Sequence, residues 1–318
     1  MSRTQAIERT RDLIRLRHMS LSTEACYLGW LGRFMDWLPR VSAELGSEQK
    51  IEAFLTGLAK QGCAASTQNQ AFNALLFFYT QVLRVELKGI NALRAQRPAM
   101  IRTAPTVAEV RQLFEQLGDV HGYPTRLIAR MIYGCGMRVS EPLNLRVKDV
   151  EMGNSRLILR GAKGGKDRMI ALPCSVVVDL KAQLRAARVV WEADQRNRVP
   201  VKLPGLLAKK YPHWQFAWSW AWVFPSHKPC GDPRTGETVR WRCHEANVQR
   251  AVKLAATRCG LCVTPHHLRH AYATHVIQSG VANIRDVQEA MGHAQMETTA
   301  GYITPRACAV PSPLEVFA

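Results

Sequence analysis

Between residues 88 and 100 the chain reads KGINALRAQRPAM, a mixture of glycine, proline and bare arginine with no sustained apolar periodicity. A stretch of that kind cannot supply a buried face, so it reads as an exposed basic linker and limits the fold to two separately packed units. The boundary is placed near Pro98, giving an N-terminal domain over 1–97, a linker over 98–105 and a second domain over 106–318. Length agrees, because 318 residues exceed one ordinary core and an apolar content of 47% supplies two.

The first unit reads as all helical. STEACYLGWLGRFMDWL begins with Ser22 as a plausible cap and spaces Tyr27, Trp30, Leu31, Phe34 and Leu38 on one helical face. STQNQAFNALLFFYTQVL repeats the pattern with Phe72, Leu75, Leu76, Tyr79 and Leu83. The second unit opens on TVAEVRQLFEQLG, where Thr106 and Glu109 form a capping-box pair, Val110, Leu113, Phe114 and Leu117 form an apolar stripe, and Gly118 stops the helix. RLILRGAKGGKDRMIAL then sets two short apolar runs around a turn rich in glycine and lysine, the pattern of a β-hairpin. The expected fold is mainly α with a small β component, the second domain being α+β.

Forty-three Lys and Arg against 25 Asp and Glu leave a net charge of +18, which makes a polyanion the leading class of partner. The N-terminal MSRTQAIERTRDLIRLRH lacks the apolar stretch of a secretory signal, and no run of about 18 apolar residues occurs. A cytoplasmic, nucleoid-associated protein without a membrane partner is expected. Nine scattered cysteines are not the dense framework of a small secreted domain, so reduced thiols are the default.

TPHHLRHAYATH, residues 264–275, carries four histidines and an arginine and admits three readings. Cys259 and Cys262 stand upstream of His266 and His270, as zinc ligands could, although only three residues separate Cys262 from His266. An ordinary amphipathic helix would bury Leu268, Ala271, Tyr272 and Val276. A phosphate site would use Thr264 as N-cap and Pro265 at the first helical position to present free N–H groups, with His266 and Arg269 beside them. Company elsewhere favours the last: Arg138 in GCGMRVSEPLNL, Lys163 in GAKGGK, and His293 and Tyr302 in AMGHAQMETTAGY.

In this order the motifs resemble those of the tyrosine recombinases of the phage integrase family. The resemblance implies a helical core-binding domain and a catalytic domain forming a C-shaped DNA clamp. It implies that Arg138 and Arg269 grip the scissile phosphate and that His266 assists. Lys163 would protonate the departing 5′-oxygen, with Lys166 the nearby alternative. His293 would bond to the phosphate or nucleophile, and Tyr302 would attack to give a 3′-phosphotyrosine. Two arginines, a lysine and histidines provide the positive charge this transfer needs, so no metal or other cofactor is implied. The expected assembly is a homotetramer on two DNA sites.

LLAKKYPHWQFAWSWAWVF (206–224) and the DPRTG at 232–236 further resemble the extra segment of integron integrases, placed here at about 202–224. That narrower likeness implies cassette sites bound as folded single strands with extruded bases, besides duplex sites. Trp218, Trp220 and Trp222 alternate with small residues and are expected to share one face of a strand. They would either pack a core or stack on bases. The expected DNA contacts are Lys166, Lys209, Lys210, His213, Trp214, Trp218, Pro233, Arg240 and Arg242. Where integron integrases often carry R-H-H, this chain has Arg240, Trp241 and Arg242. Pro305, Pro311 and Pro313 exclude a long terminal helix, so an extended tail and a DNA-free monomer are expected. The alternatives are a Xer- or phage-type recombinase of duplex sites and a catalytically silent DNA-binding relative.

Overall fold

The computed structural model describes residues 1–89, 103–161 and 167–292. Of the features expected from sequence, Lys163, Lys166, His293, Tyr302, the C-terminal tail and residues 98–102 of the linker lie outside the described residues. The chain packs as two compact units, Met1–Met100 and Ile101–Ala318.

The first unit contains four described helices, α1 (Arg3–Leu16), α2 (Leu21–Trp37), α3 (Ser47–Lys60) and α4 (Ala65–Phe77), the last continuing through a π turn, Phe78–Val82. Ser20, not Ser22, caps α2: its extended backbone lets Oγ accept the Thr23 N–H at 3.1 Å, while Ser22 already lies in the first turn. Trp30, Leu31 and Phe34 of the expected stripe are buried with Phe72 and Leu75, and Tyr27 and Leu38 pack partly against them. Phe34 meets Phe54 edge-on, ring centres 5.3 Å apart, the geometry aromatic quadrupoles favour. Leu83 is exposed, because the π turn has shifted the helical phase before it is reached.

The second unit begins with α5 (Val107–Gln116), whose Thr106–Glu109 capping box forms as expected. α6 (Thr125–Cys135) follows and buries residues on almost every turn face, including Ile128, Met131 and Ile132. After the single turn α7 (Ser140–Leu143) come β1 (Val150–Glu151), β2 (Arg156–Leu159) and β3 (Arg168–Ala171), an antiparallel sheet in the order β1-β2-β3. The expected hairpin is therefore present, with Leu157 opposite Ile170 and both buried. The long α8 (Cys174–Arg196) leads to a short α9 (Leu207–Lys210), a two-stranded ribbon of β4 (Cys230–Gly231) and β5 (Thr238–Val239), and then α10 (Glu245–Arg258), α11 (Pro265–Gln278) and α12 (Ile284–Met291). One core joins α5, α6, α10 and α11 to the inner face of the sheet.

The tryptophan segment corrects the sequence reading. Pro212–Phe216 and Trp218–Trp220 are 3-10 turns, not a strand. With three residues per turn, tryptophans two apart diverge by roughly 120°, so they cannot share one face. Trp218 packs edge-on against Trp191, Trp220 stacks at 5.3 Å with Trp214, and Trp222 is buried.

Candidate active site

α6 ends at Gly136, whose φ of 59° is the left-handed conformation glycine tolerates. A Cβ there would stand 2.5 Å from the Tyr272 ring, so space as well as conformation demands glycine. The turn delivers Arg138 to the start of α7. There the Arg138 backbone N–H donates to Glu141 Oε2 at 2.7 Å and its Nη1 to Oε1 at 2.9 Å.

Glu141 is buried and draws together three guanidinium groups. Besides Arg138, Arg168 donates to both carboxylate oxygens, Nη1 to Oε1 at 3.0 Å and Nη2 to Oε2 at 2.7 Å. Arg269 Nη1 lies 3.6 Å from Oε2. Burial pushes the carboxyl up, but hydrogen bonding and charge from Arg168, the Arg138 N–H and the charge of Arg269 outweigh it, and Glu141 sits below the usual glutamate value. Three positive charges around one negative leave a net positive site.

α11 starts as expected, Thr264 capping and Pro265 in the first turn. His267 completes the box: its Nδ1 accepts the Thr264 N–H at 3.2 Å. His266 is exposed in that first turn, His270 is buried, and His275 bonds to the Tyr133 hydroxyl at 2.9 Å. Burial lowers the His275 value. The cluster thus divides into a cap, two packed rings and one exposed ring. Among the described residues no three His, Cys, Asp or Glu side chains form a group fit to hold a metal, and Cys259 donates its thiol to the Gln112 carbonyl at 3.6 Å.

Arg269 is 1% exposed. Its Nη1 donates to the Gly136 carbonyl at 2.5 Å and its Nη2 to the Met291 carbonyl at 2.8 Å, tying the ends of α6 and α12 together. α12 ends at Gly292, with φ 64°, where a Cβ would come within 3.0 Å of the Arg168 guanidinium. His293 follows immediately. The base of the hairpin turn is also held, for Arg160 bonds to the buried Asp149 at 2.7 Å and the Gly161 N–H to Asp167 at 2.9 Å. A 130 Å³ cavity between Arg138 and Arg160 opens beside this base.

The structure therefore brings Arg138 and Arg269 to one carboxylate and sets His266 one turn before Arg269. Sequence reasoning missed Arg168. A signal was available: Arg168 and Ile170 point to the same face of β3, and a charge on a core-facing position needs a buried partner.

The aromatic segment forms a separate surface. Tyr211, Trp214 and Trp220 stack in series, 4.1 and 5.3 Å apart, with Lys148 Nζ 3.7 Å from the Trp220 ring centre. Lys209, Lys210, His213 and Pro233 are exposed, and Trp214 and Trp218 half-buried. Arg240 is a correction. It is buried, forking Asp194 at 2.7 and 2.5 Å and bonding to the Ser226 carbonyl at 2.9 Å, which leaves its guanidinium turned inward and committed to the scaffold. Arg242 is half-buried and paired with Glu245 at 3.1 Å. Arg146 lies 3.0 Å from the Trp222 ring centre and bonds to the carbonyls of Trp220 and Lys202.

Residues 106–307 match the phage integrase family and residues 7–89 the phage integrase N-terminal SAM-like domain. The chain belongs to the phage integrase family, the tyrosine recombinases that cleave and rejoin DNA. It is similar to an integrase/recombinase of Escherichia coli, 40% identical over 94% of this chain and 88% of that protein. It is also similar to the tyrosine recombinase XerA of Pyrococcus furiosus, 27% identical over 94% and 89%. In fold it resembles lambda integrase in a dimer bound to a COC′ core site, with a TM-score of 0.63 at 16% identity over 96% and 97% of the two chains. No described helix is long and apolar enough to cross a membrane.

Proposed function

We propose that this recombinase joins gene cassettes as an integron integrase does, acting as a tetramer on two sites and binding cassette sites as folded single strands. In this reading residues 1–97 form the core-binding domain and 106–318 the catalytic domain. Tyr302 attacks the scissile phosphorus and forms a 3′-phosphotyrosine, while Lys163 gives its proton to the departing 5′-oxygen. Arg138, the most open of the guanidiniums at Glu141 with 27% of its side chain exposed, takes a non-bridging oxygen first. Arg269 takes the other by exchanging its carbonyl partners for phosphate, and His266 and His293 complete the shell. Energy kept in the tyrosyl ester lets a second strand reseal the break without ATP.

The observation that carries the cassette reading is the stack of Tyr211, Trp214 and Trp220, flanked by exposed Lys209, Lys210 and His213. Half-buried rings beside exposed basic side chains are suited to extruded bases next to phosphate. Trp218, Pro233, Lys166 and Arg242 are proposed as further DNA contacts. The test is cleavage of nicked suicide substrates in duplex and folded single-strand form. Covalent adduct on the folded site supports the reading. Adduct on duplex sites alone would assign the enzyme to the Xer and phage type.

A further inference from the structure

Arg168 leaves the hairpin at the first position of β3 with its side chain only 10% exposed. It makes three hydrogen bonds, two to Glu141 and one from Nε to the Ala290 carbonyl at 3.0 Å. The Ala290 bond sets the plane of the guanidinium, and that plane meets Glu141 edge-on with both forks filled. Glu141 is in turn bonded to Arg138 and stands beside Arg269. Removing the fork leaves Glu141 free to swing toward either remaining arginine, so the spacing of the two would no longer be fixed from a third direction. Gly292, at the end of α12, leaves room for the Arg168 guanidinium where any side chain would collide.

We propose that Arg168 is a positioning residue for strand cleavage, acting through Glu141 to hold Arg138 and Arg269 at the separation a phosphate requires. The proposal rests on the roles given above to those two arginines. Among the described residues, the charged groups acting on Glu141 are Arg138 before α7, Arg168 on β3 and Arg269 on α11. Beyond Arg168, Asp286 and Glu289 of α12 line the neighbouring cleft.

Full-length enzyme is assayed for single-turnover adduct formation on a duplex suicide substrate, with duplex affinity measured separately. Arg168→Gln is expected to lower cleavage about 100-fold, the cost of roughly 1 Å of misplacement, with affinity unchanged. In a Glu141→Gln background the same change is expected to add no further loss, because the route through the carboxylate is already gone. The acid limb of the cleavage profile is expected to move to higher pH in Arg168→Gln, where Glu141 has lost its strongest hydrogen-bond partner. If that variant does not melt cooperatively, Arg168→Lys, which keeps the charge and loses the fork, takes its place with the same lack of additivity. Losses that multiply in the double variant, an unmoved acid limb, or full cleavage by Arg168→Gln would overturn the proposal. Normal cleavage by Arg138→Gln and Arg269→Gln would instead overturn the reading beneath it.

Discussion

Arg269 and Arg240 show how similar guanidinium groups acquire different tasks from their surroundings. Both are buried and hydrogen-bonded, but Arg269 is held by two carbonyls and stands 3.6 Å from a carboxylate shared with other cations, whereas Arg240 is neutralised by a fork to Asp194. In the proposed mechanism a phosphate replaces carbonyl partners around Arg269. It has no comparable claim on Arg240, whose counter-charge is already in place. Asp194→Ala should therefore cost about 3–5 kcal/mol of stability by stranding a buried cation, a loss read in thermal or denaturant melts. Cleavage per folded molecule should be retained, and a stable but inactive variant would return Arg240 to the DNA surface. Glu141 makes a pH prediction of definite sign. Its carboxyl lies below the ordinary value in the folded chain, so the stability it contributes is full above the unfolded glutamate value near 4.5 and is lost as pH falls through the folded value. Melts in acid should show Glu141→Gln losing less stability than the parent between those limits; an equal loss would mean that the arginines do not depress its ionisation. The proposed nucleophile has the simplest test. Tyr302→Phe should bind DNA and form no covalent adduct, and an adduct persisting in that variant would remove Tyr302 from the mechanism.

At the level of elements, short-range signals were legible where the physics is local. The capping box at Thr106, the N-cap at Thr264, the stripe of α2 and the hairpin before Ala171 follow from side chains a few residues apart, and all are present. The start of α2 was misplaced by two residues because Ser20 and Ser22 are both competent caps and backbone conformation decides between them. Arg138 and Arg269 were legible as residue types in order, but the hub that joins them was not. The Arg168 contact to Glu141 spans 27 residues and that of Arg240 to Asp194 spans 46; strand alternation marks Arg168 as core-facing, but nothing local names the partner of either arginine. The tryptophan run failed for a different reason: alternation with small residues fits a strand as well as successive 3-10 turns until partners are known. Those partners now separate the rings. Trp222 is 6% exposed, donates its Nε1 proton to the Arg240 carbonyl at 3.0 Å and lies under Arg146. Trp222→Ala should thus cost about 3–5 kcal/mol and lower every activity together. Thermal melts and duplex cleavage check this, and a fully stable variant would show that the ring is not the segment's anchor.

For the whole molecule, a charge of +18 gives affinity for any nucleic acid, so binding alone cannot reveal which site is preferred. The stem of a folded strand offers nearly the same phosphates as duplex, and only extruded bases differ. Salt dependence separates the two contributions. Affinity should fall linearly with the logarithm of salt for both substrates, and Lys209→Ala should make that slope shallower by about 1 on both, since a phosphate contact carries no base information. Trp214→Ala should behave oppositely. Its ring stacks with Tyr211 and Trp220 and is only half-buried, so part of its surface is open. Stacking worth roughly 1–3 kcal/mol per base corresponds to about 5- to 150-fold weaker binding of the folded site. The salt slope and the duplex affinity should be unchanged. Titrations at several salt concentrations, with melts to establish folding, give both quantities from one series. If well-folded Trp214→Ala loses the same affinity for duplex as for folded strands, the aromatic stack is packing and the enzyme recombines duplex sites. If the slope changes instead, Trp214 acts by placing Lys209 or Lys210, and the discrimination between substrates must be sought on another surface.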